Sequence, residues 1–300
     1  MISSNDADAH RYIIGEHAYE APRIEPGLYV VATPIGNLGD ITLRALETLA
    51  AADIIACEDT RVTATLLQRF ALKAPLFAYH EHNAEKQRPK LMQALAEGKI
   101  VAQVSDAGTP IVSDPGFRLV RDAVAEGHKV VPIPGASAPL TALVGSGMAS
   151  DTFLFAGFLP QKGGPRQRRL EELRPVPATL IFFESPHRVA ATLAQMAEVF
   201  GDRQAVVARE LTKRFETFKH GSLTELSAFY EATPTKGEIV ILVSPPEAQP
   251  EENAENAEEL LREALKTMPA AAAAKQISKQ TGLNRKEVYQ MALDMKSAEE

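Results

Sequence analysis

Cysteine is nearly missing from these 300 residues: Cys57 stands alone. That excludes an intramolecular disulfide framework and a cysteine zinc cluster, and it fits a reducing compartment such as the cytoplasm. Long apolar runs are absent too. No stretch approaches the roughly 18 residues needed to span a membrane. The opening segment, MISSNDADAHRYIIGEHAYEAP, is polar and lacks the apolar stretch of a signal peptide. Positive charge is in deficit, with 32 Lys and Arg against 39 Asp and Glu, a net charge of −7. A protein that coats nucleic acid nonspecifically needs a cationic surface, so that class is disfavoured. Three chemical signatures are lacking as well: no G-x-G-x-x-G, no phosphate-loop lysine and no G-x-S-x-G. A nicotinamide-dependent oxidoreductase is thereby left a distant third reading, and nothing resembles a phosphate loop or a serine nucleophile elbow.

What is present describes an ordinary globular protein. Hydrophobic residues make up 45% and charged residues 24%. The length suggests two domains at roughly 150 residues each, and such a chain can bury a core without staples. Residues 1–25 read as a flexible tail. From Gly27 a regular alternation begins, with strands at Leu28–Ala32, Asp53–Cys57, Leu76–Tyr79, Ile100–Val104 and Val130–Ile133. Helices are expected at Ile41–Ala51, capped by Asp40, and at Thr60–Phe70, Asn83–Glu97 and Phe117–Glu126. Alternation of this kind predicts an α/β domain on a mostly parallel sheet over 26–149.

After Asp151 the rhythm changes. Strands are expected at 153–160, 179–185, 204–209, 216–220 and 238–243, a helix at Val189–Val199, and a basic loop GGPRQRR between the first two strands. This predicts a second, mixed-sheet α+β domain over 150–244. An acidic linker, 245–254, precedes a helical appendage at 255–300 with a glycine-containing turn at Thr281-Gly282. Helix-turn-helix spacing admits DNA reading, an RNA or docking contact, and a purely structural role.

In an open parallel sheet, ligands sit beyond the carboxyl ends of the strands. The loops placed there are Thr33–Asp40, rich in glycine; Cys57–Arg61, with three charges in four residues; Tyr79–Asn83; Ser105–Gly116; and Pro132–Ala138. Glu58, Asp59 and Arg61 read as site residues or, alternatively, as a helix cap with a surface ion pair. His80 and His82 lack a further ligand cluster, so a polar substrate edge fits them better than a metal. The loop at 105–116 holds two Asp, two Pro and two Gly, a composition that fixes one shape. Lys162, Arg166, Arg168 and Arg169 form one basic stretch, and Arg203, Arg209, Lys213, Arg214 and Lys219 another.

SDAGTPIVSDPG at 105–116, with TPIGNLGDITLRA, EDTR, YHEHN, IPGASA, FFESPHR, ARELTK and GEIV in order, resembles the ribosomal RNA small-subunit methyltransferase I family, a branch of the tetrapyrrole methylase superfamily. The resemblance covers about Pro26 to Ser244 and the appendage. It implies a two-domain tetrapyrrole-methylase fold with an S-adenosylmethionine cleft and a homodimer in the cytoplasm. The implied substrate is a cytidine ribose in the decoding region of 16S ribosomal RNA, within the small ribosomal subunit, with no membrane or metal involved. By the family pattern, cofactor contacts map to Pro34, Ser105, Asp106, Ala107, Ser113, Ala136, Ser137, Phe183, Ala208 and Gly237. Ile111, Phe182 and Phe183 are expected to wall the adenine. Candidate catalytic groups are Glu58, Asp59, Arg61, His80 and Glu184, with Asp59 or Glu58 as base and Arg61 as clamp. RNA is expected along Arg166, Arg168, Arg169, Arg209, Lys213 and Arg214. The rivals are a tetrapyrrole C-methyltransferase of the same fold and a nonenzymatic RNA-binding or assembly protein.

Overall fold

A computed structural model describes residues 10–111, 116–246, 250–281 and 283–299. Residues 1–9 lie outside it, but 10–25 are no loose tail. Strands β1 (Arg11–Ile14) and β2 (His17–Glu20) pair antiparallel around Gly15, whose φ is +62°. Tyr12 is buried against residues of the first sheet's helical layer, and the Ile13 N–H donates to the Phe70 carbonyl at 2.8 Å. Ile14 packs beside Tyr12, Tyr19 stacks on Tyr12 at 5.4 Å and Arg11 pairs with Glu20 at 3.0 Å.

The first sheet has strands β3 (Gly27–Val31), β4 (Ile54–Cys57), β5 (Leu76–Ala78), β6 (Ile100–Gln103) and β7 (Val130–Ile133). Their order is β5-β4-β6-β3-β7, and every neighbouring pair is parallel. Helices α1 (Leu43–Ala51) and α2 (Thr60–Arg69) cover one face. Their Leu46, Leu49, Leu66 and Leu67 pack with Tyr29 and Val31. Helices α3 (Ala84–Ala96) and α4 (Phe117–Ala125) cover the other, where Leu91, Leu95 and Leu119 meet Leu28 and Val101. Burial on both faces explains the unbroken apolar runs of these strands. The cap of α1 differs from expectation. Thr42 accepts the Ala45 N–H at 3.1 Å, while Asp40 closes a short 3-10 turn over Leu38–Asp40.

Helix α5 (Ala138–Ser146) leads into the second sheet. It comprises β8 (Phe153–Phe158), β9 (Thr179–Glu184), β10 (Gln204–Arg209), β11 (Thr217–Ser222) and β12 (Ile239–Val243). The order is β11-β10-β12-β9-β8, antiparallel except for β8 with β9. The intervening helices are α6 (Gly163–Leu173), α7 (Val189–Phe200) and α8 (Leu223–Ala232). The basic segment expected as a loop is therefore helix α6. Its glycines and proline lie in the first turn, where an α-helix tolerates them. Leu170 and Leu173 of α6 anchor it in one core of this sheet. On the opposite face Ala142 and Leu143 of α5 pack with Val206, Ala208, Leu242 and Ile35, a residue of the first sheet's β3 loop. This shared core makes residues 1–245 one compact unit, with no separation at 149/150.

The second unit, 246–300, has helices α9 (Pro250–Leu265), α10 (Ala270–Thr281) and α11 (Arg285–Glu299). Helix α9 begins inside the expected acidic linker, because proline is well placed at a helix's first position and Ala257, Leu261 and Ala264 share an apolar face. They pack with Ala273, Ala274, Ile277, Val288 and Ala292 into a core belonging to this unit alone. Among the described residues no helix is long and apolar enough to cross a membrane.

Candidate active site

Strands β3 and β6 are neighbours whose crossovers run to opposite sides, one to β4 and the other to β7. Their carboxyl ends are thus the topological switch point where a ligand crevice opens. The loops there are stitched together. Thr33 and Gly108 exchange both main-chain hydrogen bonds, at 2.9 and 3.1 Å. The Thr33 hydroxyl donates to the Ser105 carbonyl, and the Ser105 hydroxyl donates to the Ala107 and Gly108 carbonyls. Thr109 Oγ1 donates to the Ala136 carbonyl at 3.2 Å, which ties in the loop after β7. Gly108 holds φ +82°, and a Cβ there would stand 3.1 Å from Ile35 Cγ2. Glycine is required at this turn.

Two adjoining cavities open from the crevice. The first, about 410 Å³, is bounded by Ala107, Gly108, Thr109, Ser137, Phe158, Phe183, Glu184, Leu211 and Gly237. Phe183 meets Phe155 edge-on at 4.9 Å and Phe158 at 5.3 Å, so the aromatic wall is braced. Phe182 is fully buried on the opposite face of the strand and does not reach the ligand side. Strand alternation forbids two successive residues from sharing a wall. The second cavity, about 350 Å³, is bounded by Pro34, Gly36, Leu38, Val62, Thr65, Ser105, Asp106 and Lys213. Ile35, Ala107 and Glu238 border both.

Most of the expected cofactor contacts are brought together, but they divide. Ala107, Ser137, Phe183 and Gly237 line the first cavity, whereas Pro34, Ser105 and Asp106 line only the second. Ala136 reaches the crevice through its carbonyl. Ala208 is fully buried in β10 and borders neither cavity. Ser113 lies outside the described residues.

The candidate catalytic groups scatter. Asp59 caps α2, accepting the Arg61 N–H at 2.8 Å and both Nε and Nη2 of the same side chain. These bonds hold its carboxyl at about 2, which leaves it anionic and a weak proton acceptor. Its own N–H donates to Asp106 Oδ1 at 3.0 Å. Arg61 is largely exposed, and neither it nor Glu58 borders a cavity. His80 is committed to its own loop. Its N–H donates to Asn83 Oδ1, and Asn83 Nδ2 lies 3.1 Å from His80 Nε2 and donates to the Ala78 carbonyl. Among the described residues no three of His, Cys, Asp and Glu converge as metal ligands. Glu184 borders the first cavity but is a clamp. Its Oε1 accepts the Ser185 N–H, and its Oε2 accepts Arg188 and the Thr192 hydroxyl, at 2.7 to 3.1 Å. Arg188 in turn donates to the Leu159 carbonyl, joining the ends of β8 and β9.

The expected RNA-binding cations differ in availability. Arg168 and Arg214 are exposed, the latter stacked over Phe215 at 5.5 Å. Arg166 donates to Gln195, Arg169 pairs with Glu172, and Arg209 donates to Thr217 and the Lys236 carbonyl. Lys213 is partly exposed and paired within the chain. It lies against Gly36 and pairs with Glu210 at 2.9 Å and Glu238 at 3.1 Å. Sequence reading missed Glu210 and Glu238 as its partners. The available signal was the charge density of ARELTK and KGE, the two ends of neighbouring strands β10 and β12.

Several solved proteins share the architecture of the first unit. A cobalt precorrin-4 methyltransferase of cobalamin biosynthesis superposes with a TM-score of 0.56 at 18% identity, covering 72% of this chain and 94% of that one. A uroporphyrin-III C-methyl transferase from Thermus thermophilus, complexed with S-adenyl homocysteine, gives 0.53 at 20% identity, covering 72% and 96%. Residues 27–227 match the family described as Tetrapyrrole (Corrin/Porphyrin) Methylases, which is the class that fold and crevice define. Residues 250–296 match the RsmI C-terminal HTH domain. A protein of Mesorhizobium japonicum called Ribosomal RNA small subunit methyltransferase I is 55% identical, over 95% of this chain and 97% of its own length. Its namesake in Erythrobacter litoralis is 51% identical, over 94% and 100%. The chain belongs to the ribosomal RNA small subunit methyltransferase I family within the tetrapyrrole methylases.

Proposed function

We propose that this protein transfers a methyl group from S-adenosylmethionine to the ribose 2′-oxygen of a cytidine in the decoding region of 16S ribosomal RNA. The substrate is the small ribosomal subunit, and the enzyme works as a cytoplasmic homodimer. The observation that carries this reading is the pair of adjoining cavities, donor beside acceptor, in a chain 55% identical to a protein with that ribosomal RNA name.

The first cavity suits the methyl donor. Its volume lies in the range of small-molecule sites, about 300–1,000 Å³. Phe158, Phe183 and Leu211 offer apolar walls to a flat base, while Gly108 and Gly237 let main-chain polar groups come close. A fold relative was solved with S-adenyl homocysteine. When bound, S-adenosylmethionine supplies an electrophilic methyl group on a sulfonium sulfur. The chain's own task is to align a ribose hydroxyl and remove its proton, since a hydroxyl is a poor nucleophile. Asp106 is the carboxylate on the acceptor side, anchored by the Asp59 N–H. Asp106 would take the proton of the acceptor hydroxyl, and the donor held by Ala107, Phe183 and Gly237 would supply the methyl group as its methyl–sulfur bond breaks and the neutral thioether leaves. Asp59, tied to Arg61, supports that carboxylate and does not itself take the proton. Arg61, Arg168 and Arg214 are the exposed cations for phosphates.

The test is transfer of labelled methyl to small subunits that lack their decoding-region ribose methylation, with free 16S RNA and a tetrapyrrole precursor alongside. Label on a cytidine 2′-oxygen is expected. Label only in the tetrapyrrole would overturn the substrate.

A further inference from the structure

We infer that the second cavity seats the base of the acceptor nucleoside, and that Lys213 and Glu238 read it as cytosine and not uracil. The inference rests on the proposed methyl transfer and adds to it the residues that choose the base.

The cavity pairs an ammonium with a carboxylate at a fixed spacing: Lys213 Nζ is 3.1 Å from Glu238 Oε2 and 2.9 Å from Glu210 Oε1. Cytosine presents the complementary set on its pairing edge, acceptors at N3 and O2 beside a donor at the 4-amino group. A lysine that donates to N3 or O2 and a glutamate that accepts from N4 satisfy it. Carboxylates pair with cytosine N4 in DNA readout for the same reason. Uracil reverses two of these positions. Its O4 would face the Glu238 carboxylate and its N3–H the Lys213 ammonium, acceptor against acceptor and donor against donor.

Of the charged side chains that line the cavity Glu238 and Asp106 are acidic and Lys213 is basic, and Lys213 is already paired with Glu210 and Glu238. A base turned out of its stack is read in such a pocket by hydrogen bonds to its pairing edge. Pro34, Leu38 and Val62 supply flat apolar contact.

The reader is rigidly held. A Cβ on Gly36 would stand 2.6 Å from Lys213 Cε, so the lysine stem lies directly on the β3 loop. Glu210 and Thr212 adopt φ of +52° and +65°, a conformation non-glycine residues rarely take. Gly237 leaves room that any Cβ would deny to Glu210, at 2.4 Å. Strain of this kind gathers where side chains must be aimed. Glu238 borders both cavities, so a base bonded to it brings its ribose next to the donor.

The test compares the full-length parent with Glu238→Gln and Lys213→Met. Each is offered small subunits carrying cytidine or uridine at the acceptor position, and S-adenosylmethionine binding is followed by calorimetry as the check on folding. The parent is expected to favour cytidine. Glu238→Gln, whose amide can donate to O4, is expected to narrow the kcat/KM ratio of cytidine to uridine by roughly ten-fold or more. Lys213→Met is expected to narrow it by loss of the cytidine rate. Variants that bind the donor and keep the parent's ratio, whatever their absolute rate, would overturn the inference while leaving the proposed function standing. A parent that methylates neither subunit would overturn the proposed function and the inference with it.

Discussion

The parallel sheet meets the crevice through crossover loops that leave its carboxyl edge after β3, β6 and β7. The mixed sheet meets it through the turn at 210–216 and the short segment 236–238 ahead of β12. The first set contributes mainly backbone, knotted by Thr33, Ser105 and Thr109 and freed for close approach at Gly108. The second contributes charged side chains, aimed by residues with positive φ. Strain is stored on both sides: Ile111 in the loop after β6 takes φ +77°, and Glu210 and Thr212 after β10 take +52° and +65°.

Four experiments break or sharpen that contrast. On the parallel side, Asp106→Asn is expected to lower kcat by about 10²–10⁴ while leaving donor affinity intact, as for loss of a proton acceptor. An undiminished single-turnover rate would remove Asp106 from the chemistry. On the mixed side, Glu184→Ala strips a buried carboxylate from Arg188 and Thr192 and is expected to cost about 3–5 kcal/mol in denaturant unfolding. A loss under 1 kcal/mol would show that the clamp is redundant. Gly237→Ala forces a side chain into φ +95° and is expected to cost roughly 1–3 kcal/mol and to weaken donor binding in titration calorimetry. The smallest expected effect falls on pH. Asp59 is held at about 2 by Arg61, below its usual 3.8, so its contribution is complete above pH 4 and fades as pH falls toward 2. Asp59→Asn should therefore be less stable than the parent at pH 6, and the gap in melting temperature should shrink toward pH 3. A gap that stays constant would show that the carboxylate charge contributes nothing, since Asn preserves the cap acceptor.

The sequence exposed the parallel half of the site more readily than the mixed half, for physical reasons. Loops at strand ends are written in consecutive residues, so Thr33–Asp40 and Ser105–Gly116 announce themselves by glycine, proline and acid. Lys213 and Glu238 meet only because β10 and β12 pair antiparallel with Arg209 opposite Ile239, a register no local pattern encodes. Asp59 and Glu184 looked catalytic because a carboxylate beside an arginine reads the same in sequence whether it clamps or reacts. The hairpin at 11–20 was hidden because Ile13, exposed between the inward Tyr12 and Ile14, blurs the strand alternation. Helices α5 and α8 went unmarked. Pro139 masks the start of one, and the capping box of Ser222 and Glu225 on the other is visible only once β11 is known to end there.

The bond between Thr33 and Ser105 spans 72 residues of chain. Those loops meet only where β6 pairs with β3. Closing so long a loop costs entropy that local contacts do not repay, which puts the crevice among the last parts of the molecule to assemble. The proposed methyl-donor pocket is then a gauge of finished folding: a chain stalled with β6 unpaired has no site to fill. A donor that binds only the completed form draws the population toward it. Added during refolding, it should raise the yield of protease-resistant protein without hastening the early burial of the strands.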